Sequence, residues 1–279
     1  MKYRIVSDSS SNLTVYDTDV DFISVPLKIR IDDVEYVDDA DLNVADMVAH
    51  MQASKKPSTT SCPNSYEWLQ SFEGADCIFC VTISANLSGS YNSCVHAREV
   101  YLGEHPEAKI HIVNSKATGA TMQMIIEKIE EGIRKELSFE AIVTAITEYQ
   151  RHVKIVFCLE SLYNLAKNGR CPMALAKIAG VLGIRFIGKA SDEGTIMQAS
   201  IARGAKKANK ASLAEMEKLG YQGGRVWINH CLSPENAYRL KDLIHEKYPN
   251  ADVNVNQTTG LCSFYAEEGG LIIGFDDYA

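Results

Sequence analysis

The sequence lacks an excess of basic residues, since 28 Lys and Arg stand against 36 Asp and Glu and the net charge is −8. A nucleic-acid-binding protein needs a dominant basic face, and a polybasic membrane anchor needs clustered Lys and Arg. No apolar run approaches the roughly 18 residues of a transmembrane helix, and MKYRIVSDSS has no apolar signal-peptide segment. We therefore expect a cytoplasmic protein with no integral membrane segment and no nucleic-acid partner.

Several catalytic and metal-binding patterns are also missing. No nucleotide-binding G-x-x-x-x-G-K-[ST] motif occurs. Only Cys77 and Cys80 form a C-x-x-C, and they lie in a predicted strand, where residues three apart point to opposite faces. Asp8 follows the first strand as the nucleophile of haloacid-dehalogenase-type phosphatases does, but Ser10 replaces the second Asp of that motif. We expect no metal site and no cofactor, and we interpret Asp8 as a turn or cap residue.

Strand and helix patterns alternate in the first half of the chain. Apolar runs predict strands at 3–7, 77–83 and 109–113, and ISVPLKIRIDDVEYVDD predicts two more. Helices are expected at 43–54, 64–72, 88–102, 119–136 and 139–151. This order predicts a mostly parallel sheet flanked by helices.

The second half has a different pattern. KIVFCL predicts a strand, and RFIGKASDEGTIMQAS predicts a hairpin that turns at 192–194. Further helices are expected at 173–182, 202–219 and 235–247. The sequence therefore predicts an α/β fold of two domains. The first, 1–155, is an α/β domain, and the second, 156–279, is an α+β domain.

Two segments are rich in small hydroxylated residues, TISANLSGSYNSC (82–94) and KKPSTTSCPNSYEW (55–68). Both are predicted to lie where a helix starts, at the edge of a parallel sheet at which ligands bind. A helix N-terminus leaves backbone N–H groups unpaired, and hydroxyl groups beside it add further donors. The segments predict an anion site, although Ser88 is equally compatible with simple capping of the following helix.

Several motifs together resemble the DegV family. They are SDSSSNL after the first strand, TTSCPN, ISANLSGSYNSC, LYNLAKNGR and ASIARGAKKA, in that order over nearly the whole chain. The family consists of bacterial fatty-acid-binding proteins with two α/β domains. Some members are the fatty-acid-binding subunit of a fatty acid kinase and present the acyl carboxylate to a separate kinase protein.

The resemblance implies a non-catalytic carrier and a set of residues that hold the carboxylate of a long-chain fatty acid. Thr60 and Ser61 of TTSCPN, with Ser88 and Gly89 of NLSGSY, match the family's carboxylate site. Ser84 is a weaker member. Arg170 of AKNGR matches a Gly-Arg of the family, and it is equally compatible with a charge that satisfies a helix C-terminus.

The chain departs from the family pattern near its C-terminus. Many members have a histidine beside a Thr-Gly-Pro-Gly stretch, close to the head group of the ligand. Here QTTGLCSFYAEEGG places Thr258 at the histidine position and Leu261 and Cys262 at Pro-Gly. This departure puts the kinase partnership in doubt.

Basic residues recur at helical spacing in one place, at Arg203, Lys206, Lys207 and Lys210. They are expected on one helical face. Such a face is usually solvated, and it is also suited to an acidic partner or to transient contact with anionic lipid.

The leading hypothesis is a carrier that holds one acyl chain between its domains. The alternative is an enzyme that acts on a small phosphorylated or carboxylated metabolite at the same loops. A deep apolar cavity favours the first, and a short polar cleft with a candidate base favours the second. A third hypothesis is an interaction module whose lipid never exchanges.

Overall fold

The computed structural model describes residues 2–179 and 183–278. The strands of this part of the chain are β1 (Tyr3–Asp8), β2 (Asp21–Val25), β3 (Lys28–Ile31), β4 (Val34–Val37), β5 (Thr59–Ser61), β6 (Cys77–Thr82), β7 (Lys109–Asn114), β8 (Val153–Leu159), β9 (Ile184–Ala190), β10 (Ile196–Arg203), β11 (Val226–His230), β12 (Val253–Gln257) and β13 (Leu271–Asp276).

The α-helices of the described residues are α1 (Val44–Ala53), α2 (Ser65–Phe72), α3 (Ser90–Glu104), α4 (Ala120–Arg134), α5 (Phe139–His152), α6 (Tyr163–Lys167), α7 (Met173–Ala179), α8 (Ala205–Lys218), α9 (Pro234–Lys247) and α10 (Gly260–Ala266). The predicted helix at 173–182 extends beyond α7 into residues that lie outside the described ranges. Helix α10 was not predicted.

The first sheet has the strand order β2-β1-β6-β7 and is parallel throughout. Each of its strands carries apolar residues on both faces, and β6 is buried along its whole length. One face packs against α2 and α3 through Trp68, Phe72 and Ala97, and the other packs against α4 and α5. The predicted parallel sheet flanked by helices is confirmed.

The second sheet has the order β10-β9-β8-β13-β11-β12 and is antiparallel except for the β11–β12 pair. Helices α8 and α9 cover its outer face. Its inner face packs against α6, α10 and the segment that follows β2, including Ile29 and Ile31 of β3 and Met47 of α1. The predicted α+β region and its β9–β10 hairpin are confirmed.

The expected boundary at residue 155 falls inside β8, whose residues all belong to the second sheet. We propose the boundary between α5 and β8 instead. A small antiparallel sheet, β4-β3-β5, leaves the first domain and covers the second, which the sequence pattern did not indicate.

Helix α4 lies between the two sheets and contacts strands of both. Residues on all sides of it are buried, from Ala120 to Gly132. Its close approach to β13 depends on Gly274, where a Cβ atom would lie 2.6 Å from the backbone nitrogen of Thr121. This packing fixes the distance between the sheets.

The prediction that four basic residues share one helical face is partly wrong. Lys206, Lys207 and Lys210 lie on α8 and are exposed, but Arg203 is the last residue of β10 because α8 begins only at Ala205. Gly204 separates the two elements with a φ of 80°.

A half-buried carboxyl group, that of Glu127, joins α4 to the second sheet. Glu127 accepts hydrogen bonds from Trp227 Nε1 and Arg225 Nη1, each at 3.2 Å. Burial raises the pKa of Glu127 to about 7, and this effect outweighs the bond from Trp227 and the charge of Arg225.

Glu127→Gln is expected to change the pH dependence of stability. Between the ordinary pKa of 4.5 and the folded value of about 7, the folded protein keeps a proton that the unfolded chain releases. The contribution of Glu127 is therefore complete below pH 4.5 and is lost as the pH rises through 7. In urea unfolding experiments, the free energy of unfolding of the wild type should fall by up to about 3 kcal/mol relative to that of the variant over this pH range.

Glu131→Gln is the matched control. Burial raises the pKa of Glu131, but Lys128 and Arg225 together lower it below its ordinary value. Wild type should therefore gain stability relative to this variant as the pH rises. The same pH dependence in both variants would contradict the account.

Candidate functional site

A cavity of about 290 Å³ lies between the carboxyl ends of the first sheet and the inner face of the second. Loops that follow β2 and β6 contribute Leu27, Ile83 and Leu87. The second sheet contributes Ile155, Phe157, Leu159 and Ile272, and α6 and α10 contribute Leu165, Leu261 and Ala266. Most of the wall is therefore apolar, at the sheet edge where open α/β folds bind ligands.

Five of the six residues expected at the ligand line this cavity. Thr60, Ser61, Ser88, Gly89 and Arg170, here called the polar cluster, come from β5, the β6–α3 loop and the turn after α6. A Cβ atom on Gly89 would lie 3.2 Å from Cys62 Sγ, so the two hydroxyl-rich segments are in contact.

The polar cluster contains the uncapped start of α3. The helix begins at Ser90, two residues later than expected, and Gly89 is its N-cap, without a side-chain cap. Ser88 lies one residue before the N-cap, and its Oγ accepts a bond of 3.3 Å from Ser90 N, the first N–H of the helix. Within the described ranges, neither the Ser88 hydroxyl nor the Gly89 N–H donates to a protein acceptor. These donors remain for a ligand.

The second hydroxyl-rich segment is a strand end and not a helix start. Thr59–Ser61 pairs with β3, and α2 begins at Ser65 behind an Asn64–Glu67 capping box. Pro63 therefore precedes the helix and is not its first residue. Because successive side chains of a strand point to opposite faces, those of Thr60 and Ser61 have different surroundings, and Ser61 is exposed.

Arg170 connects the two domains at the polar cluster. Its Nε donates to the Leu87 carbonyl at 3.1 Å, and its Nη1 donates to the Asn168 carbonyl. No carboxylate of the described residues forms an ion pair with it. Its bond to Leu87 holds the β6–α3 loop, and its positive charge lines the cavity.

Tyr265 is a cavity residue that the sequence analysis missed. Its hydroxyl lies 2.7 Å from Thr60 Oγ1, across 205 positions of sequence. Burial raises the pKa of Tyr265, so the phenol stays protonated near neutral pH. The available signal was the spacing of Leu261 and Tyr265, which places both on one face of α10.

Helix α10 is held in place by a buried carboxylate. Asp38 accepts the N–H groups of Gly260 at 2.5 Å and Leu261 at 3.0 Å. Asn12, in the loop after β1, accepts the N–H of Thr259 at 3.0 Å. Burial raises the pKa of Asp38 to about 6 in spite of these bonds.

Thr258, at the position of the family histidine, does not reach the cavity. It is buried, lies 2.6 Å from Ser263 Oγ, and donates to the His230 carbonyl. Leu261 and Cys262, which replace Pro-Gly, do line the cavity. The histidine function is therefore not supplied by a polar group at residue 258.

Ser84 has a different position from the one expected. It is buried, and its hydroxyl donates to the Gly194 carbonyl at 2.8 Å. Asn86 Nδ2 donates to the Glu193 carbonyl at 2.6 Å, and Lys116 Nζ donates to the Asp192 carbonyl at 2.7 Å. Three side chains of the first domain thus bind the turn of the β9–β10 hairpin, whose residues 194–196 line the cavity. We call these bonds the hairpin closure.

Asp8 has a structural role beside the site. Its carboxylate accepts the Ser90 hydroxyl at 2.7 Å, the Ile83 N–H at 3.0 Å and the Ser10 hydroxyl. It is fully buried and joins the ends of β1 and β6 to the start of α3. It occupies the N-cap position of the turn at 9–11, although its side chain does not cap that turn.

The charged side chains that line the cavity are cationic. Arg170 and Lys116 line it, whereas no Asp, Glu or His of the described residues does. Within the same ranges, no group of three His, Cys, Asp or Glu side chains is arranged to hold a metal ion. No helix there is long and apolar enough to span a bilayer.

Comparison with known proteins gives consistent results. The family model described as an uncharacterised protein of the DegV family matches residues 2–276. A DegV domain-containing protein of Streptococcus pneumoniae is 41% identical over 279 residues, which is 99% of either chain.

Solved structures with the same fold include proteins that contain fatty acids. The Fatty Acid Kinase (Fak) B3 protein of Streptococcus pneumoniae, loaded with linoleic acid, is 40% identical with a TM-score of 0.98 over all of both chains. A DegV family protein of Eubacterium eligens, loaded with heptadecanoic acid, is 39% identical with a TM-score of 0.96 over 99% of this chain and all of the other. A DegV family protein of Ruminococcus gnavus, refined with vaccenic acid, is 30% identical with a TM-score of 0.88 over 98% of this chain and 99% of the other.

The resemblance found in the sequence motifs is thereby confirmed, and the chain belongs to the DegV family.

Proposed function

We propose that the protein is a carrier that binds one long-chain fatty acid between its two domains. The observation that carries this proposal is the composition of the cavity: an apolar wall, with hydrogen-bond donors and a guanidinium group at one place and no carboxylate or imidazole of the described residues. Such a site suits a ligand with one anionic end and a long apolar remainder.

The apolar wall supplies most of the affinity in this proposal. Each buried methylene group contributes about 0.8 kcal/mol, so a chain of more than a dozen carbons contributes several kcal/mol beyond the cost of ordering it. The related proteins that contain linoleic and heptadecanoic acids support a long chain as the ligand.

The polar cluster holds the carboxylate in this proposal, because a buried carboxylate without hydrogen bonds is costly. Ser61, Ser88 and the Gly89 N–H provide donors, and Arg170 provides charge. Thr60 and Tyr265 act as one hydroxyl pair from the two domains, and the phenol replaces the donor that Thr258 does not supply. We assign Ser84 to the hairpin closure and not to the carboxylate.

The carrier would present its cargo to a separate kinase protein in the cytoplasm. Ser61 and Gly89 are exposed, so the polar cluster opens to solvent where a partner can reach the carboxylate. The related Fak B3 protein is named as part of a fatty acid kinase. The protein itself would contribute binding alone, without a cofactor.

The metabolite-enzyme hypothesis has less support. An enzyme that activates water or a substrate hydroxyl needs a base within hydrogen-bond reach, and the described cavity wall offers no carboxylate or imidazole for that role. A small polar metabolite would also leave most of the apolar wall without a partner.

Thr60→Ala combined with Ser88→Ala is expected to weaken fatty-acid binding by about 1–3 kcal/mol for each lost donor. Calorimetric titration of delipidated protein with palmitate measures the change. Thr144→Ala with Thr147→Ala removes two hydroxyls that bond only to the α5 backbone, and this control should bind normally. Equal affinity in all three proteins would remove the polar cluster from the carboxylate site.

Ser84→Ala is expected to loosen the hairpin closure. Loss of one buried hydrogen bond should speed dissociation of a labelled fatty acid about fivefold to tenfold. Hydrogen exchange of residues 184–203 should rise as well. Ser88→Ala, on the same loop, should weaken binding without changing that exchange. A ligand that does not exchange from either protein would instead support a permanently bound lipid.

The loaded protein incubated with ATP and Mg²⁺ is expected to form no acyl phosphate, because the described cavity wall has no carboxylate to hold Mg²⁺ beside the ligand. Mass spectrometry of the extracted lipid measures this. Acyl phosphate formed without a second protein would contradict the assignment as a carrier.

A further inference from the structure

A glycine in the interior of the second sheet lies against a wall of the cavity. Gly188 of β9 is directly opposite Phe157 of β8. A Cβ atom on Gly188 would lie 2.2 Å from Phe157 Cε2 and 2.4 Å from its Cζ, distances that real Cβ atoms do not show. The same Cβ atom would lie 2.7 Å from Phe186 Cε1, so the ring of Phe157, with that of Phe186 beside it, fills the space that a side chain at residue 188 would occupy.

The backbone conformation at residue 188 does not require a glycine. Gly188 is absent from the described glycines with positive φ, so other residues can adopt its conformation. Glycine inside a strand weakens it, and often marks a place where another group approaches closely. Here the approaching groups are the Phe157 ring, which comes closest, and the Phe186 ring.

Described side chains surround the ring on the face of the sheet. It stacks on Phe186 with ring centroids 6.2 Å apart, and Ile272 of β13 lies opposite it on the other side. Ile155 and Leu159 flank it along β8, and both line the cavity. We therefore expect a ring displaced from Gly188 to turn away from these neighbours, off the sheet and toward the cavity that Phe157 already lines.

We propose that Gly188 determines how long an acyl chain the cavity accepts, by giving the Phe157 ring a recess outside the path of the chain. The inference rests on the proposed function, since it concerns the acyl part of the same ligand. Phe157 forms the wall, and Gly188 is a positioning residue that does not touch the ligand.

Gly188→Ala tests the proposal directly. Delipidated protein is titrated with laurate, myristate, palmitate and stearate. If the displaced ring removes the space of two methylene groups, stearate should bind about 15-fold more weakly, whereas laurate should change less than about twofold. Gly103→Ala is the matched control, because its φ is not positive and no atom lies within 4 Å of the added Cβ.

A second substitution separates displacement of the ring from general damage. Gly188→Ala with Phe157→Leu removes the closer of the two ring contacts, leaves the contact with Phe186, which does not line the cavity, and should restore most of the stearate binding. If Gly188→Ala does not fold, Phe157→Leu alone should shift the preference toward stearate and the longer arachidate.

The outcomes distinguish this inference from the proposed function. Wild-type protein that binds none of the four acids refutes the carrier itself. If wild-type protein binds the acids, two results for Gly188→Ala overturn only the assignment of Gly188. These results are an unchanged chain-length profile and an equal loss of affinity for all four acids. An unchanged profile in Phe157→Leu overturns it as well.

Discussion

The Asp38 carboxylate and the N–H groups of Gly260 and Leu261 form the contact on which the site depends. Asp38 directly follows β4 of the small sheet that leaves the first domain, and α10 belongs to the second domain. Their bonds, together with the bond between Asn12 and Thr259, fix α10 against the loop after β1. Because α10 carries Leu261, Cys262, Tyr265 and Ala266, one buried carboxylate positions an entire wall of the cavity.

The other walls follow from ordinary packing. Helix α4 sets the separation of the two sheets, so the ends of β2, β6 and β7 face apolar side chains of β8 and β13 across a gap that α4 does not fill. The hairpin closure covers one part of this gap. The polar cluster lies at another, where the α3 N-terminus and Arg170 favour a negative charge. The architecture thus separates an apolar volume from a donor-rich opening.

Much of this was predictable because it rests on local patterns. The two hydroxyl-rich segments were expected at one edge of the parallel sheet, and the structure brings Thr60, Ser61, Ser88 and Gly89 to one cavity, although Thr60 and Ser61 lie on β5 of the small antiparallel sheet. Ser84 was misplaced because a hydroxyl four residues before Ser88 shows no sign of which carbonyl it meets, and its partner is 110 residues away. Tyr265 was missed because α10 is short, begins at a glycine and depends on Asp38, which lies 222 positions earlier than Gly260. The contacts of Ser84 and Tyr265 join residues 110 and 205 positions apart, and the local sequence does not indicate such partners.

The measurement that tests the central claim most directly is the identity of whatever the purified protein carries. Organic extraction followed by mass spectrometry is predicted to release close to one long-chain fatty acid per protein molecule, and its length would report the shape of the cavity beside Phe157. An empty extract, together with no uptake of added fatty acids by the folded protein, would contradict the carrier and leave the polar cluster as a site for a different anion.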